Sequence, residues 1–444
     1  MADSKRVAGG RWDEYVARLS GVIGHRDREE PLRAYLAGLL LPGERKSVEP
    51  MAARLDPRHV SARHQSMHHF ISGAAWSDDE VLRVARDYVL PLMERHAPVG
   101  AWIVDDTGMP KKGVHSAGVS RQYCGVLGKQ ENCQVAVTVS LANTVMSVPG
   151  AYRLYLPETW AKDHKRRNAA GVPSDIVFRT KWEIALTQID DLLADDLPRS
   201  PVLADAGYGN VTEFREALCA RGLRYAVGIN PETRVWPPGI EPLPAKPSTG
   251  RGRPPRLLRR DAGHRPESAE ALARSLGDDA WRTVRWREGT RGTMSSRFAA
   301  VRVRAAHRDY WKAEPREREW LVIEWPPREK KPAKYWLSTA PETTEIDDLV
   351  RLIKLRWRIE RDHEEMKQEL GLDHYEGRGW RGFHHHGVLC VAAYAFLAAE
   401  RARLSPPEPL AFLKAAPLPK SFRPRGSPDT VRTSQPRVHR DDTH

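Results

Sequence analysis

Apolar positions recur at helical spacing over the first part of the chain. Residues from about 10 to 95 read as helical. Ser77-Asp-Asp-Glu80 has the form of a capping box, and it opens a helix with Val81, Val84, Ala85 and Tyr88 at i, i+3, i+4 and i+7. Met67 to Ile71 and Trp76 add apolar anchors among histidines and arginines. The period then changes. Ala101-Trp-Ile-Val104 is a short apolar run ending in Asp105-Asp106, Gln134 to Leu141 alternates and is β-branched, and Ala151 to Leu156 alternates again. A helix is expected from about Asp175 to Leu193, then a strand Val202-Leu-Ala204 ending in Asp205. A helix near Val211 to Ala220 and a strand Tyr225 to Ile229 follow.

The order β-β-β-α-β-α-β, three meandering strands followed by a helical crossover, is what a ribonuclease H-like sheet requires. A right-handed crossover lays the Asp205 strand parallel to the first. Each of the two strands would then end in a carboxylate on the same sheet edge. Residues 231–262 form a Pro/Gly/Arg-rich break. Trp281 to Trp286, Phe298 to Val303, Trp320 to Trp325 and Tyr335 to Leu337 read as short strands. A long helix, with Thr344 as its cap, is expected to run on to about Leu370.

The expected fold class is therefore α/β, a ribonuclease H-like catalytic core with an N-terminal helical domain and an inserted β-rich domain. The expected divisions are 1–95, helical and DNA-binding; 96–230, the first part of the core; 231–340, linker and β-rich insertion; 341–405, the catalytic and C-terminal helices; and 406–444, a Pro/Arg/Ser-rich disordered tail.

Composition then narrows the chemistry. The 444 residues carry 71 Lys and Arg against 58 Asp and Glu, a formal charge of +13, which favours a polyanion because bound phosphates release counterions. An Arg-rich surface serving solubility alone is the plain alternative. The four cysteines, Cys124, Cys133, Cys219 and Cys390, contain no C-x-x-C pair, so neither a disulfide scaffold nor a zinc site is expected. The N-terminus lacks a signal-type apolar core, and no apolar run approaches the roughly 20 residues that span a bilayer. A cytoplasmic protein is expected.

Over 345–370, laid out as one helix, Leu352, Leu355, Ile359, Met366 and Leu370 share one face, and Arg356, Glu360 and Lys367 lie beside it. Taken alone, that polar row reads as surface ion pairs. With Asp105 or Asp106 and Asp205 at strand ends, it reads as a carboxylate cluster suited to hard divalent cations.

Arg356-Trp-Arg-Ile-Glu360-Arg-Asp-His-Glu-Glu-Met-Lys367 resembles the Y-x2-R-x3-E-x6-K signature of ribonuclease H-like DDE insertion-sequence transposases, with Ile353 at the tyrosine position. Val104-Asp-Asp-Thr107 resembles that family's first-aspartate motif, and Leu203-Ala-Asp-Ala-Gly-Tyr208 its second. The long β-rich gap before Glu360 is also similar, and the likeness runs from about residue 40 to 400. It implies that Asp106, Asp205 and Glu360 are catalytic and bind two Mg²⁺ or Mn²⁺ ions, with Arg356 and Lys367 on DNA phosphates. Asp106 is taken over Asp105 for its place before Thr107; alternation by itself favours neither. The implied activity is cleavage at inverted-repeat ends of double-stranded DNA and strand transfer to a target, by a dimer or higher assembly. A non-cleaving DNA-binding derivative and a plain ribonuclease H-like nuclease are the alternatives.

Other signals are less specific. Lys111, Lys112, Arg121 and Lys129 follow the first carboxylate, where DNA phosphates would approach. Gly250-Arg-Gly-Arg-Pro254 reads as a minor-groove hook or a solvated linker. His384-His-His386 reads as helix-end histidines before a metal site, and Trp281, Trp286, Trp320, Trp325 and Trp336 mostly as core, with one of them stacking on an extruded base at the cleaved end as the alternative.

Overall fold

The fold is known from a computed structural model that describes residues 2–247, 255–289 and 292–404. The Gly250–Pro254 segment and the tail from 406 on lie outside the described residues. Five helices come first: α1 (Ala2–Ser20), α2 (Glu29–Leu40), α3 (Val48–Leu55), α4 (Val60–His68) and α5 (Asp78–Glu94). Ser77 caps α5 as its sequence implies, its hydroxyl accepting the Glu80 N–H.

Four strands follow, β1 (Ala101–Pro110), β2 (Ser120–Cys124), β3 (Lys129–Ala142) and β4 (Ser147–Leu154). After two short helices, α6 (Glu158–Ala161) and α7 (His164–Ala169), comes α8 (Lys181–Ala194). It starts later than the apolar period suggests because Thr180-Lys-Trp-Glu183 forms a complete capping box. Next are β5 (Val202–Ala204), α9 (Ala206–Gly209), α10 (Thr212–Ala220) and β6 (Tyr225–Ile229).

The pairing order β4-β3-β1-β5-β6 is the one expected of a ribonuclease H-like sheet. β1 runs antiparallel to β3 from Ala101↔Ala142 to Pro110↔Cys133 and parallel to β5 at Trp102↔Val202 and Ile103↔Leu203. Two details differ from expectation. β2 is an additional strand paired with the far end of β3, and β1 continues past Asp105 and Asp106 to Pro110, so those aspartates sit within the strand.

The next stretch comprises β7 (Arg234–Trp236), β8 (Glu267–Ser268), α11 (Ala269–Ser275), β9 (Arg282–Gly289), β10 (Gly292–Ala305), β11 (Glu319–Glu324) and β12 (Lys334–Ser338). β12 pairs antiparallel with β6 through Leu337↔Val227, so these strands extend the core sheet. Period-2 patterning reports a strand but not its neighbour, which is why this continuity was illegible beforehand.

The expected long helix is two: α12 (Ile346–Lys354) and α13 (Trp357–Leu370), interrupted at Leu355 and Arg356. Glu345, not Thr344, is the N-cap residue. The break resets the helical phase, so Val350 and Ile353 are buried, whereas Leu352 and Leu355 are only partly so. Last comes α14 (Trp380–Leu404), buried along most of its length.

α14 joins the N-terminal helices to the core. Tyr15 donates its hydroxyl to the Ala392 carbonyl at 2.8 Å, Arg11 pairs with Glu400, and the Trp76 and His385 rings stack with centroids 3.5 Å apart. The three consecutive histidines are structural. His384 Nδ1 lies 2.9 Å from the Trp380 carbonyl, His385 Nδ1 2.9 Å from that of Ile71, and His386 Nε2 3.0 Å from that of Gly371. Burial pushes the pKa of His385 and of His386 down to about 4, so both are neutral at pH 7. Among the described residues, no helix is long and apolar enough to cross a membrane.

Candidate active site

Alternation along β1 sorts its side chains between two layers. Trp102 and Val104 belong to the large core that also holds Ile184 and Ile189 of α8. Ala101 and Ile103 pack with Leu203, Val350, Ile353 and Ile359, on the side of α12 and α13. Continuing the alternation puts Asp105 on the α13 side and Asp106 on the α8 side. Continued two residues beyond its last pair, Ile103↔Leu203, the parallel register would bring Asp105 level with Asp205.

The contacts agree with that sorting. Asp105 Oδ2 accepts from Arg356 Nη1 at 2.6 Å, and Arg356 Nη2 donates to Glu360 Oε1 at 2.6 Å. One guanidinium therefore spans the carboxylates of β1 and α13. Asp106 instead accepts from Lys181 Nζ, at the start of α8, at 2.5 Å. The sequence expectation of Asp106 as first carboxylate thus meets a geometry that turns it away from Glu360. In a strand adjacent residues face opposite sides, so only one of the two aspartates can share a face with Glu360.

Asp205 caps α9, accepting the Gly207 N–H at 2.9 Å and the Tyr208 N–H at 3.4 Å. Burial raises the pKa of Asp105 to about 6; Arg356 opposes the shift, and Asp205 and Asp106 add to it. Burial works against the charge of Arg356, but Asp105, Glu360 and Asp205 hold its pKa above the ordinary value.

Strand and helix are also tied behind the carboxylates. Thr138, opposite Asp105 on β3, reaches the Asp105 carbonyl at 3.3 Å and His363 Nε2 of α13 at 2.8 Å. Burial pushes the pKa of His363 down to about 3, leaving a neutral ring that serves as a spacer. Asp362 is fully buried and accepts from Ser147 Oγ at 2.6 Å and the Tyr394 hydroxyl at 3.0 Å. The sequence reading missed Lys181, Asp362 and Ser147. Thr180-Lys-Trp-Glu183 carried a signal for the first; nothing local carries one for a partnership across 215 residues.

Asp362 supports a pH prediction. Burial pushes its pKa up to about 6, against an ordinary value of 3.8. The folded state keeps this proton where the unfolded chain has lost it. The group's contribution to stability is therefore full below about pH 3.8 and is lost as pH rises through about 6. Asp362→Asn removes the titration, so its stability relative to the native chain should rise across that window. Urea unfolding of both proteins at several pH values tests this, and parallel curves would refute it.

The expected phosphate contacts divide. Lys367 Nζ donates to the Gly108 carbonyl at 2.8 Å and Lys111 Nζ to that of Tyr375 at 2.5 Å, and burial lowers both pKa values. In this arrangement both brace β1 and the loop after it. Lys112, Arg121 and Lys129 are exposed. Lys111 and Lys112 line a cleft of about 660 Å³ with Arg45, Asp373 and Glu376.

Among the described residues, no three His, Cys, Asp or Glu side chains already converge as a metal-binding group. The donor chemistry of Asp105, Asp205 and Glu360 is nevertheless all oxygen, which fits a hard divalent ion. The raised pKa of Asp105 marks a place where further positive charge would be favourable.

Comparison with known proteins identifies the family. The profile of a family described as DDE superfamily endonuclease matches residues 18–293, a stretch that contains Asp105, Asp106 and Asp205. Over 166 residues, 37% of this chain, the sequence is 36% identical to the probable transposase for insertion sequence element IS701 of Microchaete diplosiphon. That match spans 40% of the relative's length.

Proposed function

The chain belongs to the DDE superfamily endonucleases, and from that premise we propose that it is a DNA transposase of the insertion-sequence class. It would cleave the inverted-repeat ends of its element and join them to target DNA. The observation that carries this reading is that one guanidinium, Arg356, pairs with both Asp105 of β1 and Glu360 of α13.

In this reading Asp105, not Asp106, is the first catalytic carboxylate, with Asp205 and Glu360 as the others. Together they would hold two Mg²⁺ or Mn²⁺ ions, which supply activation of a water or 3′-hydroxyl and charge stabilisation at the leaving oxygen. Arg356, once released from Asp105 and Glu360, has a planar fork suited to a non-bridging phosphate oxygen. Lys112 and Arg121 would hold the DNA backbone, while Lys111 and Lys367 keep β1 and the following loop in place. Lys181 would hold Asp106 out of the cluster. Two ends must be brought together, so the working form is a dimer or larger assembly on double-stranded DNA.

The test is a cleavage and joining assay on duplexes carrying the inverted repeats that flank the gene. The native protein with Mg²⁺ should nick at the repeat boundary and join the 3′-end to a second duplex. Glu360→Gln should bind the same duplex and cut none of it. Cutting by that variant, or nicking by the native protein with no joined product, would overturn the proposal; the latter would leave a plain nuclease.

A further inference from the structure

β2 and the first residues of β3 form a two-stranded ribbon beyond the end of β4. Its course is set by a contact that register alone does not explain. Cys124 pairs with Lys129 near the tip, whereas Gly108 of β1 pairs with Val135, six residues further along β3. Yet Cys124 lies against Gly108, so close that a Cβ there would come within 2.9 Å of its Sγ. The ribbon therefore bends back over β1 and rests two residues from Asp106. Cys124, Cys133 and Val135 form the small buried cluster that holds it.

Its outer surface is unusual for a soluble chain. Gly125 to Gln130 are all exposed, and Tyr123, Val126 and Leu127 are 60%, 60% and 43% exposed. Cys124 points inward, so alternation places Tyr123 and Arg121 together on the outward face of β2. Arg121 and Lys129 supply positive charge along the ribbon, Lys129 pairing with Glu131, and Lys112 lies in the loop that Asn132, opposite Arg121, fastens to the ribbon's base. A two-stranded ribbon is marginal by itself, and clustered exposed apolar residues mark a contact surface. An apolar tip flanked by cations matches a duplex, in which phosphates flank a stack of bases. A protein partner without an acidic surface would leave those cations unmatched.

We propose that this tip is a DNA wedge: Tyr123, Val126 and Leu127 enter a base step beside the scissile phosphate, and Arg121 and Lys112 hold the phosphates on either side. Opening a step loses base stacking, which apolar contact and phosphate pairing offset. The local distortion would give the strand freedom to bring its phosphate past the edge of β1 to Asp105, which lies three residues from Gly108 and on the opposite face of the strand. The inference rests on the DNA-cleaving reading above and adds to it the element that deforms the substrate.

The test uses the full chain and a duplex of the element's own end, with 2-aminopurine next to the cleaved bond. Ca²⁺ permits binding without cutting, and Mg²⁺ starts the reaction. The native protein should raise the 2-aminopurine emission on binding. The triple variant Tyr123→Ser, Val126→Ser, Leu127→Ser should bind with little loss of affinity, give no rise, and cut about tenfold or more slowly. Two mismatched pairs beside the cleavage point should restore most of its rate, which loss of structure could not do. An unchanged thermal midpoint shows that the variant is folded. A variant that distorts and cuts DNA like the native protein overturns the wedge and leaves the transposase reading standing. So does a variant whose only defect is a change in oligomeric mass. A native protein that cuts no end-bearing duplex brings down both.

Discussion

Asp105→Asn eliminates DNA cleavage, and Asp106→Asn leaves most of it. The first substitution removes a charged oxygen donor from the face shared with Asp205 and Glu360 and leaves Arg356 with Glu360 alone. A loss of about a thousandfold or more is expected, which at 1.36 kcal/mol per decade is about 4 kcal/mol of transition-state stabilisation. The second removes a partly exposed ion pair with Lys181 on the α8 face. Such pairs contribute about 1 kcal/mol or less, so a change of less than about tenfold is expected. Single-turnover cleavage of end-bearing duplex, with binding measured separately, reads the two cases apart. If Asp106→Asn is the silent enzyme and Asp105→Asn the active one, the face assignment is wrong. The motif-based choice would then stand, and the tie to Lys181 would have to open on DNA.

Gly209→Ala lowers stability strongly and takes activity with it. Gly209 ends α9, the short helix that Asp205 caps, and α9 lies flush on β6. A Cβ at this position would sit 1.9 Å from the Gly228 carbonyl oxygen and 2.9 Å from Val227 Cβ. Neither obstacle is the far end of a flexible side chain, so the helix must lift off the sheet. Overpacking of this kind costs about 1–3 kcal/mol and more where the backbone is the obstacle. The displacement also carries Asp205 away from Asp105. Gly113→Ala serves as the control, because a Cβ there meets nothing within 4 Å. A thermal midpoint for Gly209→Ala equal to that of the control would contradict this packing argument.

Some of this protein was fixed along the chain before any contact was made. Period and capping signals located α5, β5 and β6, since both depend on neighbours a few residues away. A right-handed crossover after meandering strands was enough to place β1 beside β5. The Arg356, Glu360 and Lys367 spacing was legible as a motif, because helical geometry makes i and i+4 neighbours whatever the rest of the chain does.

Tertiary structure decided the remainder. Which of two adjacent aspartates faces Glu360 depends on which face of β1 meets α13, and no local signal carries that. The break at Leu355 and Arg356, the seating of α14 against the N-terminal helices, and the fold-back of β2 onto Gly108 are likewise agreements between distant segments. Sequence patterns report each residue's need for burial or a partner. Only the folded chain, through the excluded volume of close packing and the requirement that buried polar groups be paired, selects which partner meets it.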